Sequence, residues 1–285
     1  MKKWFVFLVA AALLFATALA EEVDPVIEGA QTLVLEEEYE LDLDGDGTSE
    51  IVRIRYGFSE YEDEVMQLLV ETEDAIYTYD TFIGYNGKAY AVDLDGDGTV
   101  EVLLSGDIAS SDFFTWCLKF DMERKIYALP FADANRGDNT DEYFDEGYGR
   151  IEAIDGATLT MACSQDMLGT WWCSREFTLR DGRFELNDDG VWHVIIDTDD
   201  EETWEYKGLI LTRELEATAP DGSAITLQPG DQFVIIETDK KYAKFQTRDG
   251  VVGIIDTEPN VEMGWGSLIN GIDEYDYFEF VPYSD

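Results

Sequence analysis

Two thirteen-residue blocks constrain this chain more than any other feature: Tyr39 to Ile51, YELDLDGDGTSEI, and Tyr90 to Val102, YAVDLDGDGTVEV. Tyr, three Asp, Leu, two Gly, Thr and Glu coincide at an offset of 51 residues. A match this long at a fixed period marks two copies of one structural unit. Tyr39, Leu41 and Leu43 alternate with polar residues on entry to the first block, as do Tyr90, Val92 and Leu94 in the second. Alternation of this kind is strand grammar, so each acidic loop is expected between two strands.

The same grammar runs through the chain. Ile51 to Tyr56, Ala75 to Tyr79, Thr158 to Cys163, Phe177 to Arg180 and Val191 to Ile196 read as strands. Asp181-Gly182 and Asp249-Gly250 each separate two such runs, a strong hairpin signal. The expected fold is mainly β, with antiparallel repeats arranged like propeller blades or as a sandwich. The repeats span about residues 32–80 and 82–131, and 132–196 forms a degenerate segment within a 21–196 repeat domain. In that segment Tyr148 to Asp188 has similar length and hairpins but no acidic loop. Residues 197–206 are polar and acid-rich and read as a linker. Five short strands with tight turns over 207–257 then suit a small barrel, followed by an aromatic, acidic tail at 258–285.

The chemistry lies in the loops. Calcium needs six to eight oxygen ligands at about 2.3–2.6 Å, which several carboxylates converging from a tight loop can supply. Asp42, Asp44 and Asp46 occupy positions 1, 3 and 5 of the first loop, with Gly47 at the turn, Thr48 at 7 and Glu50 at 9. Asp93, Asp95, Asp97, Thr99 and Glu101 hold the same positions in the second, around Gly98. Four carboxylates crowded a few ångströms apart repel unless a cation joins them. The expectation is therefore two structural Ca2+ sites; the bland alternative is a pair of solvated acidic turns. An EF-hand is excluded, because position 12 is Arg53 in one copy and Leu104 in the other, where an acid is required.

These strand-flanked loops resemble the calcium-binding repeats called FG-GAP or VCBS repeats, found in integrin-type propellers and many secreted bacterial proteins. The resemblance covers the two blocks closely and the rest of 32–131 loosely. It implies that each copy forms most of a four-stranded blade, with the metal loop tying two strands together. Residues 207–257 resemble a bacterial SH3-like domain. Leu227, Gly230-Asp231, Phe233 to Ile235, Tyr242-x-Lys244-Phe245 and Asp249-Gly250-x-x-Gly253-Ile254 carry that likeness. It implies binding of a cell-wall peptide or another protein; a folded spacer is the alternative.

The first twenty residues bear on the compartment. Lys2 and Lys3 precede an apolar run from Trp4 to Ala16, and Ala18-Leu19-Ala20 gives a small-x-small cleavage pattern. This reads as a signal peptide over 1–20, so a secreted or surface-associated chain starting at Glu21 is expected. No later stretch reads as a transmembrane segment. Loss of Lys2 and Lys3 would take the formal charge from −44 to −46. Such a surface repels nucleic acid and anionic lipid, and both are set aside as partners.

Three cysteines are too few for a disulfide scaffold. Cys163 and Cys173 flank a hairpin near Met167-Leu168-Gly169 and form the expected bridge, leaving Cys117 as a small buried hydrophobe. His193, the only histidine, reads as a strand residue in a structural role. The Asp273 to Asp285 tail, with Tyr275, Tyr277, Phe278, Phe280 and Tyr283, is expected to pack back onto its own domain. Trp171, Trp172, Trp192 and Trp204 are candidates for a sugar-stacking face, though within a β core such side chains more often fill volume. Functionally the sequence favours a non-enzymatic, calcium-stabilised binding or adhesion protein with an unknown protein or cell-wall ligand. The alternative is a hydrolase using two carboxylates on cell-wall glycan or carbohydrate.

Overall fold

The computed structural model describes residues 27, 29–59, 62–108, 112–132, 143–187, 190–239, 241–261, 263 and 266–283. The expected leader lies outside them. The described chain is mainly β, with one short α-helix.

After a short strand β1 (Gln31–Leu33), the first unit is an antiparallel meander. It comprises β2 (Glu38–Leu41), β3 (Glu50–Phe58), β4 (Glu64–Glu71) and β5 (Ile76–Asp80). The second unit repeats the plan with β6 (Tyr85–Val92), β7 (Glu101–Asp107), β8 (Phe113–Asp121) and β9 (Lys125–Ala128). In both, the acidic block is the connection between the first two strands, as the alternation predicts.

The second sheet is buried on both faces. Every residue of β7 is buried, as expected of a strand inside stacked layers. Val102, Leu104, Trp116 and Leu118 pack with Val52, Ile54 and Leu68 of the first unit. Tyr90, Leu103 and Cys117 point the other way, into a core shared with the rest of the chain. Period-two alternation thus divides one sheet between two cores.

Three short strands follow: β10 (Phe131–Ala132), β11 (Tyr143–Phe144) and β12 (Glu146–Tyr148). β12 lines up beside β8 and extends the second sheet. A third antiparallel meander then forms from β13 (Arg150–Asp155), β14 (Thr158–Asp166), β15 (Thr170–Arg180) and β16 (Arg183–Leu186). Its first connection is the tight Gly156-Ala157 turn, where the other units carry acidic loops. Asp181 and Gly182 both have positive φ, at 50° and 76°, as a two-residue turn that follows the strand twist requires.

The cysteine expectation is half correct. Cys163 and Cys173 sit opposite each other in the β14–β15 register, but no disulfide joins them, and all three cysteines are buried. Cys163 Sγ donates to the Tyr148 carbonyl at 2.8 Å, and Cys173 Sγ donates to the Trp171 carbonyl at 3.7 Å. Directly opposed strand residues hold their side chains alongside each other, and a disulfide needs a specific convergence of the Cβ atoms.

The stretch read as a linker contains structure. After β17 (Trp192–Val194) comes the helix α1 (Glu201–Lys207), capped by the Asp200 carboxylate, which accepts from the Glu202 amide. Beyond it lie β18 (Leu209–Ile210), β19 (Leu215–Thr218), β20 (Ala224–Leu227), β21 (Gln232–Thr238), β22 (Tyr242–Thr247) and β23 (Val252–Pro259), then the short β24 (Ser267–Ile269) and β25 (Ile272–Asp273). The strands expected in the C-terminal module are present, but the closed barrel is not. The edge of β21 is shared by β18 and β17, so the sheet runs on through β15 into the third unit instead of closing. One core correspondingly includes Leu159, Phe177 and Trp192 together with Phe233, Phe245 and Ile255.

The tail packs back onto the protein. Thr212 N donates to Tyr277 O at 2.7 Å, Glu279 N to Ile210 O at 2.9 Å, and Thr170 N to Pro282 O at 3.0 Å. Phe278 meets Phe233 edge-on at 5.6 Å. Glu274 is buried here, its Oε1 accepting from the Tyr283 hydroxyl at 2.6 Å. Burial raises its pKa above the ordinary glutamate value, only partly offset by Tyr283 and Ser267. A raised folded pKa gives stability that is full below the unfolded value and is lost as pH rises through the folded one. Urea midpoints across this mildly acidic range should therefore fall with pH more steeply in the wild type than in Glu274→Gln. Parallel curves would remove Glu274 from the pH dependence.

Candidate metal centre

Each acidic loop is anchored by an apolar residue within it. Leu43 and Leu94 are buried; the aspartates flanking Leu43 are half-buried and those flanking Leu94 are exposed. The amide-to-carboxylate hydrogen bonds inside the two loops are the same. Gly47 N donates to Asp42 Oδ2 at 2.9 Å, Asp46 N to Asp44 Oδ1 at 3.2 Å and Thr48 N to Asp46 Oδ1 at 2.7 Å. In the second loop Gly98 N donates to Asp93 Oδ2 at 3.1 Å, Asp97 N to Asp95 Oδ1 at 3.2 Å and Thr99 N to Asp97 Oδ1 at 2.8 Å. Thr99 adds its hydroxyl, donating to the same Asp97 oxygen at 2.5 Å. Thr48 and Thr99 thus enter through their amides, bending the chain around the acids.

The closing glutamates are the first residues of β3 and β7, and both are buried. Glu50 Oε2 accepts from Leu43 N at 2.9 Å, and Glu101 Oε2 from Leu94 N at 2.8 Å. Burial raises the Glu50 pKa, with the Asp44 and Asp46 charges adding to it and the Leu43 amide opposing. Burial likewise raises Glu101, opposed by the Leu94 amide and by Lys119.

Ligand atoms of Asp42, Asp44 and Glu50 lie within 4.8 Å of one another, as do those of Asp93, Asp95 and Asp97. Among the described residues these are the two groups of three or more such side chains that could hold a metal ion. The donors are all oxygens, which suits a hard cation. Asp42 Oδ1 is buried without a hydrogen-bond partner, an arrangement a bound cation would relieve. Asp46 and Glu101 stand outside the two groups. The loops also touch: Val100 N donates to Leu43 O at 3.2 Å, and a Cβ on Gly45 would stand 3.2 Å from Gly98 O.

Lys119 was not among the residues singled out from the sequence. Its Nζ stands 2.6 Å from Glu101 Oε1, 3.4 Å from Asp97 Oδ2 and 4.0 Å from Asp95 Oδ2. Burial alone would lower the pKa of this lysine, but Glu101, Asp95 and Asp97 outweigh it and raise it. Its place follows from the strand register: Val102 pairs with Leu118, so the next residue of β8 falls beside Glu101.

The remaining candidates sort by burial. Trp171, Trp192 and Trp204 are core side chains, leaving Trp172 half-buried with Arg150 over its ring at 5.0 Å. They do not form an exposed sugar-stacking face. His193 is exposed on β17, its Nδ1 4.0 Å from Glu237 Oε2. Asp112 has a raised pKa through burial and then the Asp107 and Asp166 charges; these three do not converge as the loop acids do. Among the described residues no helix is long and apolar enough to cross a membrane. Comparison of the chain with family models, with curated proteins and with solved structures finds no match.

Proposed function

We propose that this chain is a secreted, calcium-stabilised, non-enzymatic binding or adhesion protein associated with a cell envelope. One observation carries the reading: two acidic loops share sequence, position in the meander and their amide-to-carboxylate hydrogen bonds, and each sets a buried glutamate behind aspartates that are half-buried or exposed. An ordinary surface turn has no need of a buried carboxylate. Crowding acids in this way becomes favourable when a divalent cation shares them.

Three four-stranded meanders, with the middle one covered on both faces, support reading the units as FG-GAP or VCBS-like blades. The C-terminal strands are read as an open relative of an SH3-like module. The ions hold the stack, and its surface does the binding. Immobilised protein should retain a bacterial wall fraction or an envelope glycoprotein more strongly in calcium than in chelator. Equal retention in both would take calcium out of the binding function, and no retention of either would remove the adhesion reading.

A further inference from the structure

The geometry points to unequal loops: the first is the divalent-cation site, and the second carries a counter-ion within the chain, the Lys119 ammonium. This rests on the calcium reading above and divides its two sites.

The comparison is internal, because sequence, amide-to-carboxylate hydrogen bonds and place in the meander are shared. What differs is the closing glutamate. In the first loop buried Glu50 joins Asp42 and Asp44 within 4.8 Å. In the second the convergent group is Asp93, Asp95 and Asp97, all exposed, and Glu101 is instead held by Lys119 at 2.6 Å. The cause lies in the third strand of each unit. Ile51 pairs with Glu71 and Val102 with Leu118, so the residue beside Glu50 is Thr72 where the one beside Glu101 is Lys119. The Thr72 hydroxyl is turned to the Ala75 carbonyl at 3.2 Å and brings no charge.

Each loop has four carboxylates, so Lys119 makes the second one charge less negative. Among the described residues no ammonium or guanidinium stands within 4 Å of the first loop's acids; each loop has a buried carboxylate oxygen without a hydrogen-bond partner, Asp42 Oδ1 and Glu101 Oε1, but only Glu101 Oε1 has an ammonium beside it, that of Lys119. The Lys119 side chain is only 14% exposed, so it is lodged in the loop rather than lying over it. A cation entering the second loop must displace the ammonium from Glu101 or bind without the buried ligand. Either way it meets a like charge at close range. A cation entering the first loop meets neither obstacle.

The test is a calcium titration of the purified protein, stripped of metal, followed by calorimetry, in wild type, Lys119→Met, Lys119→Arg and Asp44→Asn forms. The wild type should bind one ion tightly and a second at least tenfold more weakly. Lys119→Met should tighten the second at least tenfold and leave the first unchanged, while Lys119→Arg, which keeps the charge, should resemble wild type. Asp44→Asn should abolish the tight site alone, a result that stands whether or not the Lys119 variants fold. Two equal sites in the wild type, or loss of the weak site in Asp44→Asn, would overturn the division and leave the calcium reading intact. No calcium bound by the wild type or by Lys119→Met would overturn both.

Discussion

Trp171→Ala is expected to destabilise the protein by about 3–5 kcal/mol, the range for removing a large buried aromatic. Trp171 is 2% exposed, and its Nε1 donates to the Met167 carbonyl at 2.9 Å. It stands where three parts of the chain meet. Met167 Sδ accepts from Thr257 at 3.2 Å, the Gly169 backbone lies against Pro282 of the tail, and Lys207 at the end of α1 lies 6.0 Å from the indole. Gly169 has φ 110° there, and an added Cβ would stand 2.9 Å from Pro282 Cδ, so the turn cannot shift easily to fill a void. Truncation therefore loses the transfer energy of the indole, leaves a cavity, and strips the Met167 carbonyl of its partner. Urea unfolding measures this directly, with half-buried Trp172→Ala as the smaller comparison. A loss below about 1 kcal/mol for Trp171→Ala would lie far outside that range and would mean the junction is not packed as described.

Calcium is the second large effect. A ligand that binds the native state alone at tenfold excess over its dissociation constant stabilises that state by about 1.4 kcal/mol per site. For a chain of this size such a gain raises the melting temperature by about 3–6 °C. Most of the rise should come from the first loop at low calcium, since Lys119 already supplies a positive charge at the second. The expected gain would be structural, because the loops join the first two strands of their units and lean on each other through Leu43 and Val100. An ion bound there would hold β2 to β3 and steady the contact between the first and second sheets.

Much of this was legible in the sequence for local reasons. Strands show as alternation, and turns show where Gly and Asp supply positive φ, as at Asp181-Gly182. The acidic loops were legible because the four acids of each lie within nine residues, though which of them converge, Asp42, Asp44 and Glu50 in one and Asp93, Asp95 and Asp97 in the other, was not. Long-range pairing left no such trace. Nothing in Cys173, Val194 or Trp192 marks that β15, β17 and β21 join one sheet, and that pairing is why the C-terminal module stays open. Cys163 and Cys173 were placed opposite each other correctly, yet register alone does not fix the sulfur geometry a disulfide needs. The helix after Asp200 did carry a signal, a capping acid followed by Glu201 and Glu202 with Lys207 at the end, hidden within an acid-rich stretch. Lys119 was readable only once hairpin register set it beside Glu101.

The most direct test of the central claim is thermal unfolding in chelator and then in rising calcium, for the wild type beside Asp44→Asn/Asp95→Asn. A calcium-dependent rise of several degrees in the wild type, absent in the double variant, is the predicted result. Superimposable curves for the wild type with and without calcium would contradict the account, reducing both acidic loops to ordinary turns.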